Sequence, residues 1–175
     1  MGWILLAGLA LVAGVLIYSY NALVRDHHRV LSAWSDIEVQ LKRRHDLIPR
    51  LVEVVKQYAA YEQAALSTVI ELRNRARTGH SPGEQGDLER RISRSLFDIR
   101  AVAEAYPDLK SNRNYLELMQ QLTEIERDIQ FARRYYNGAV NNLNTRIDSF
   151  PDLIVARLLR FRPAEYFDFD EESAA

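Results

Sequence analysis

Residues Trp3 to Val24, WILLAGLALVAGVLIYSYNALV, contain no Asp, Glu, Lys, Arg or His. Twenty-two helical residues span about 33 Å, enough to cross the hydrocarbon core of a bilayer. Trp3 at one end and Tyr18 and Tyr20 at the other are placed as interfacial anchors. Ala7, Ala10 and Gly14 put small residues on one side of the span, which permits close approach of a second helix. A cleaved signal peptide would need a basic stretch before the apolar run and small residues at its end. Here no Lys or Arg precedes it, and Leu16, Ile17, Tyr18 and Tyr20 fill the end, so a retained anchor is expected. Without cysteine there is no lipoprotein attachment site, and a reducing compartment fits. The bases Arg25, Arg29, Lys42, Arg43 and Arg44 all follow the span. That bias predicts the N-terminus outside and the rest of the chain in the cytoplasm.

About 150 residues remain after the anchor, the size of one domain. A net charge of −1 gives no electrostatic footing for nucleic-acid binding. The final EYFDFDEESAA holds five acids and no base. Gly and Pro are scarce and gather at TGHSPGEQG, at Pro107 and at Pro151. Between these breaks the apolar residues recur at helical spacing. Trp34, Ile37, Leu41, Ile48, Leu51 and Val55 mark one stripe. Leu88, Ile92, Leu96, Ile99 and Val102 mark a second, over about 84–105. Tyr115, Met119, Leu122, Ile125, Ile129, Tyr136, Val140, Leu143 and Ile147 mark a third, over about 112–149.

Pro49 raises the question of whether residues 21–77 form one helix or two. The stripe passes through it without a skip, as in a kinked helix. Asp46 as an N-cap and the balance of lengths favour a split near His45. The expected fold is therefore all-α: a single transmembrane helix followed by an antiparallel up-and-down four-helix bundle with long helices. Its parts are an anchor at 1–24, a bundle at 25–150, a short amphipathic segment at 151–163 and an acidic tail at 164–175.

No residue pattern supports catalysis. There is no Glu-x-x-His, no His-Glu-x-x-His, no G-x-S-x-G and no glycine-rich phosphate loop. Neither cofactor nor metal is expected. His27 and His28 read as solvated residues next to the membrane. The polar residues that stand out are Asp36, Gln40, Arg43, Arg44 and Asp46 on the first soluble helix, with Glu126, Arg133 and Asn137 flanking the third stripe. Asn141, Asn142 and Asn144 follow. These are either a hydrogen-bonded layer that fixes helix register or a surface for a protein or lipid partner. After Pro151, a helical reading puts Ile154, Val155, Leu158 and Leu159 on one face with Arg157 and Arg160 off it, and Phe161 follows. This segment is either packed on the open end of the bundle or laid in the membrane interface, where it would touch lipid or a neighbouring protomer.

The blocks YNxLV at 20–24 and AWSDIEVQLKRRxDLIPxLV at 33–52 closely resemble the LemA family. So do ExxIxxARxxYNxxV at 126–140 and Phe150-Pro151 followed by Ala156, Phe161 and Tyr166-Phe167. Glu38, Arg50 and the Asp26-His27-His28 stretch depart from the usual pattern. The resemblance implies a bacterial single-pass protein of the inner membrane carrying an antiparallel helical bundle, with no established catalytic activity. Its relatives include proteins of magnetosome membranes, and members often accompany membrane proteases or other membrane-quality proteins. The leading expectation is thus a membrane-anchored, non-catalytic scaffold that self-associates as a homo-oligomer. A monomeric adaptor for a membrane protease is the alternative, and a hydrolase with an unrecognised site is a third reading.

Overall fold

The computed structural model describes residues 1–59 and 61–167, and every regular element in them is helical. The order is α1 (Gly2–Tyr58), α2 (Gln63–Ala76), α3 (Pro82–Glu104), α4 (Pro107–Lys110), α5 (Arg113–Asp148) and α6 (Asp152–Leu158). Of the expected acidic tail, residues 168–175 lie outside the described residues. The chain divides into two units, 1–35 with 134–165 and 36–133 with 166–175; α1 and α5 contribute a segment to each.

The expected split near His45 does not occur. α1 is a single helix of 57 residues that continues without interruption through Pro49. A proline there removes the hydrogen bond that its N–H would give to the carbonyl four residues back. That carbonyl belongs to His45, and Arg73 Nε of α2 donates to it at 3.0 Å. The partner for the orphaned carbonyl comes from outside the helix, so α1 need not end. α1 ends instead at Tyr58, with Ala59 N–H closing onto Val55 O, and α2 begins at Gln63.

In the second unit four helical segments alternate in direction. α2 returns along α1, with Arg73 beside His45 and Leu66 beside Val52 and Lys56. α3 begins at a capping box, Ser81 and Glu84 exchanging side-chain and backbone bonds, with Pro82 in the first turn. α5 starts where Asn112 accepts from Tyr115 N–H, and the same side chain donates to the Tyr58 hydroxyl at 2.9 Å. It then descends past Arg43, whose guanidinium lies 3.5 Å from Asp128. Ile37, Leu41, Ile48, Leu51, Leu66, Val69, Leu88, Ile92, Leu122, Ile125 and Ile129 make the core.

In the first unit α1 and the last turns of α5 form an antiparallel pair closed by α6. Leu23, Val30 and Ala33 face Tyr136, Val140, Leu143 and Ile147, and Trp34 meets Tyr136 with ring centroids 5.3 Å apart. The chain after α6 is fastened to α5 by Asn144, which donates to Ala164 O at 3.0 Å and accepts from Ala164 N–H at 2.8 Å.

Candidate functional site

Three features compete for a functional role: a buried polar cluster in the second unit, an ion-pair cluster in the first, and the exposed apolar stretch of α1.

The first cluster centres on Glu89 of α3, which is fully buried, and Arg44 of α1, 1% exposed. Arg44 Nη1 reaches Glu89 Oε2 at 3.1 Å, and Nη2 contacts Ser93 Oγ and Glu126 Oε2, the latter at 3.2 Å. The other Glu89 oxygen is 2.7 Å from His45 Nε2 and accepts from Gln85 Nε2 at 2.9 Å. Three helices are thereby tied in one register. Charge buried this deeply survives only when it is paired and hydrogen-bonded. Beside it, Leu96, Phe97, Met119 and Leu122 line a groove of about 440 Å³ between α3 and α5, with Arg100 and Arg127 at its rim.

The second cluster is centred on Asp26, buried despite its place in the Asp26-His27-His28 stretch. Arg146 Nε donates to Asp26 at 2.6 Å and Arg146 Nη1 to Asp152 at 2.9 Å, while Arg29 reaches Asp26 at 3.2 Å. The hydrogen bond to Asp26, opposed by burial and reinforced by Asp152, raises the Arg146 pKa above its ordinary value. His27 and His28 are exposed with their rings edge to face. Among the described residues no group of three or more His, Asp, Glu or Cys is arranged to hold a metal.

The expected polar stripe is not one surface. Asp36, Arg43 and Asp46 are exposed, and Gln40 accepts from Arg43 Nη1 at 2.8 Å. Arg44, one residue further and so about 100° round the helix, turns into the core and pairs there with Glu89, while reaching the half-buried Glu126 at its edge. Arg133 and Asn137 are half-buried on α5, and both are engaged in interactions. Nor do the four apolar residues after Pro151 share a face. Val155 is buried, 5% exposed, whereas Ile154, Leu158 and Leu159 point outward with Arg157 and Arg160; Phe161 is half-buried. Helix α6 has only two turns, and its inward side is set by Asp152 pairing with Arg146.

The exposed stretch of α1 coincides with the segment that the sequence marks as a candidate membrane span. Residues 1–18, including Trp3, Ala7, Ala10, Gly14 and Tyr18, are all exposed, as is Tyr20. The most apolar 18-residue stretch of α1 is long and apolar enough to cross a membrane, and only 6% of it is buried. Sequence reasoning missed Asp26, Glu89, Gln85 and Arg146. For Glu89 and Gln85 the signal was present, since both continue the period of the buried α3 residues Leu88, Ile92 and Ile99.

The family model described as LemA family matches residues 33–175. The chain belongs to the LemA family. Among its relatives is Magnetosome protein MamQ 2 of Paramagnetospirillum magneticum, 25% identical over 178 residues that cover 87% of this chain. This LemA-family chain spans 65% of that relative's length. Protein LemA of Metamycoplasma hominis is 25% identical, covering 92% of this chain and 76% of its own. Magnetosome protein MamQ of Magnetospirillum gryphiswaldense is 24% identical, covering 91% and 69%. None of these names describes an enzyme.

Proposed function

We propose that this LemA-family chain is a single-pass, non-catalytic scaffold that self-associates in the bacterial inner membrane. Its N-terminus lies outside and its helical bundle in the cytoplasm. The observation that carries the reading is the contrast along α1: residues 1–18 are exposed all round, while Ser19, Ala22 and Leu23 are packed. Lipid and neighbouring copies of the span are the natural cover for that apolar surface. The buried Arg44–Glu89 cluster supports a structural rather than a catalytic role, because its carboxylate has no solvent-facing surface from which to meet a substrate. The names of the relatives fit a protein without enzymatic activity. Orientation rests on the bases that follow the span.

The test is the mass of the full-length chain, extracted in mild detergent and measured by light scattering. A large uniform particle is expected. Substituting Ala10→Leu with Gly14→Leu should reduce it. A Cβ at Gly14 would meet nothing within 4 Å in the protomer, and Ala10 is exposed, so neither position is packed against the chain's own residues. A wild-type chain that runs as a monomer would overturn the scaffold reading in favour of an adaptor for a membrane protease or another membrane protein.

A further inference from the structure

We propose that residues Phe150 to Arg162 form a second membrane-contacting element, seated in the headgroup layer of the leaflet where the α1 span ends and bound there to anionic phospholipid. The inference rests on the anchored reading of α1.

Depth is the first argument. Protein cover on α1 begins at Ser19, yet the run without an ionised side chain continues to Val24, with Arg25 the first charge. Six helical residues are about 9 Å. Whatever covers Ser19, Ala22 and Leu23 therefore sits at the depth of the span's last turns, at the edge of the hydrocarbon. The segment after α5 reaches that depth, since Phe161 meets the Tyr20 ring edge to face at 6.5 Å.

The chemistry of the segment is the second argument. Val155 and Ala156 face the protein and Asp152 is held by Arg146. On the outer side Phe150 is 80% exposed, Leu158 76%, and Ile154 and Leu159 about half. Ile154 and Leu158 are four residues apart on α6 and so share an outward flank, while Phe150 is exposed in the turn before it. Arg157, Arg160 and Arg162 are exposed around them, and the backbone turns at Arg160, where φ is 58°. The segment's only acid is Asp152, already paired, so its outward charge is wholly positive. Apolar side chains ringed by arginine are what an interfacial element presents to acyl chains and negative headgroups. Continuity with the span and charge complementarity both point to the bilayer as occupant.

The chain contains no cysteine, so Leu158→Cys creates a single labelling site. Full-length protein carrying a fluorophore there would be reconstituted in nanodiscs of phosphatidylcholine alone or with phosphatidylglycerol. Quenching by shallow doxyl-labelled lipid and by an aqueous quencher would then be compared. Gln120→Cys, exposed on α5, is the aqueous control, and Leu9→Cys reports the span. The expected result is lipid quenching and aqueous protection at 158, stronger in the anionic discs. The triple substitution of Arg157, Arg160 and Arg162 to Gln should abolish that lipid dependence. A label at 158 as water-accessible as the one at 120, with 9 still quenched by lipid, would overturn this inference alone. Failure at 9 as well would overturn the anchored reading. Protection at 158 without lipid quenching, together with energy transfer between labels, would overturn it in favour of a second copy as occupant.

Discussion

Glu89 has no solvent to fall back on. Arg44, His45 and Gln85 converge on its two oxygens. Glu89→Leu leaves the buried Arg44 guanidinium with fewer compensating charges, which should cost about 3–5 kcal/mol. Adding Arg44→Met should recover most of the loss, because an uncharged pair avoids the desolvation of both ions. Thermal unfolding of the full chain in detergent, followed by circular dichroism, separates the two; a double variant as unstable as Glu89→Leu would refute the account. Tyr136 supplies a pH signature. Its hydroxyl donates to Glu165 O at 2.8 Å, and burial, with a contribution from the Glu165 charge, pushes its pKa up to about 12. An unfolded tyrosine titrates near 10. The folded state thus holds the proton more tightly, and stability present below about pH 10 is lost as pH rises toward about 12, by up to about 3 kcal/mol. Tyr136→Phe should remove that part of the alkaline limb. Arg44 was legible in sequence as a member of the 37, 41, 44, 48, 51 period. Asp26 was not, because two histidines and an arginine beside it read as a solvated stretch.

Pro49 invites a helix break that the structure refuses, and the reason lies in another element. The His45 carbonyl is supplied by Arg73 of α2, which no local reading of α1 can see. Arg73→Met should therefore destabilise the chain by about 1–3 kcal/mol, the cost of a buried carbonyl left without its donor. In a Pro49→Ala background the same substitution should cost clearly less, since alanine restores the backbone N–H. Equal losses in both backgrounds, read from unfolding curves, would refute the coupling. The end of α1 at Tyr58 and the start of α2 at Gln63 are marked by neither glycine nor proline in the intervening sequence, so nothing there announces them. The spans of α3 and α5 were readable to within a residue or two because Pro82, Pro107 and Pro151 bound them. Helix α6 was readable as a helix but not as to its inward face, which depends on the Asp152–Arg146 pair.

At the scale of the molecule, residues 1–18 should decide where the chain resides. Deleting residues 2–18 should move it from the pelleted membrane fraction to the supernatant with helicity otherwise retained. Residual binding should appear only with anionic vesicles and fade with salt. Full retention on neutral membranes would mean that another element anchors it. The span was plain in the sequence because charge is absent from it over 22 residues. The exposed side of α6 was not, because it is fixed by the pairing of Asp152 with Arg146 of α5. From Gly14 to Pro49, α1 contains neither glycine nor proline and no interruption. The azimuth of the span is thus locked to the packed residues Leu23, Val30 and Ala33. At about 100° per residue, Ala7, Ala10 and Gly14 fall roughly 150° around the helix from that packed side. The small-residue flank therefore looks away from the protein's own covering segments, leaving a neighbouring span an unobstructed line of approach. One residue inserted after Val24 would swing that flank by about 100° and point it elsewhere, without altering a single side chain within it.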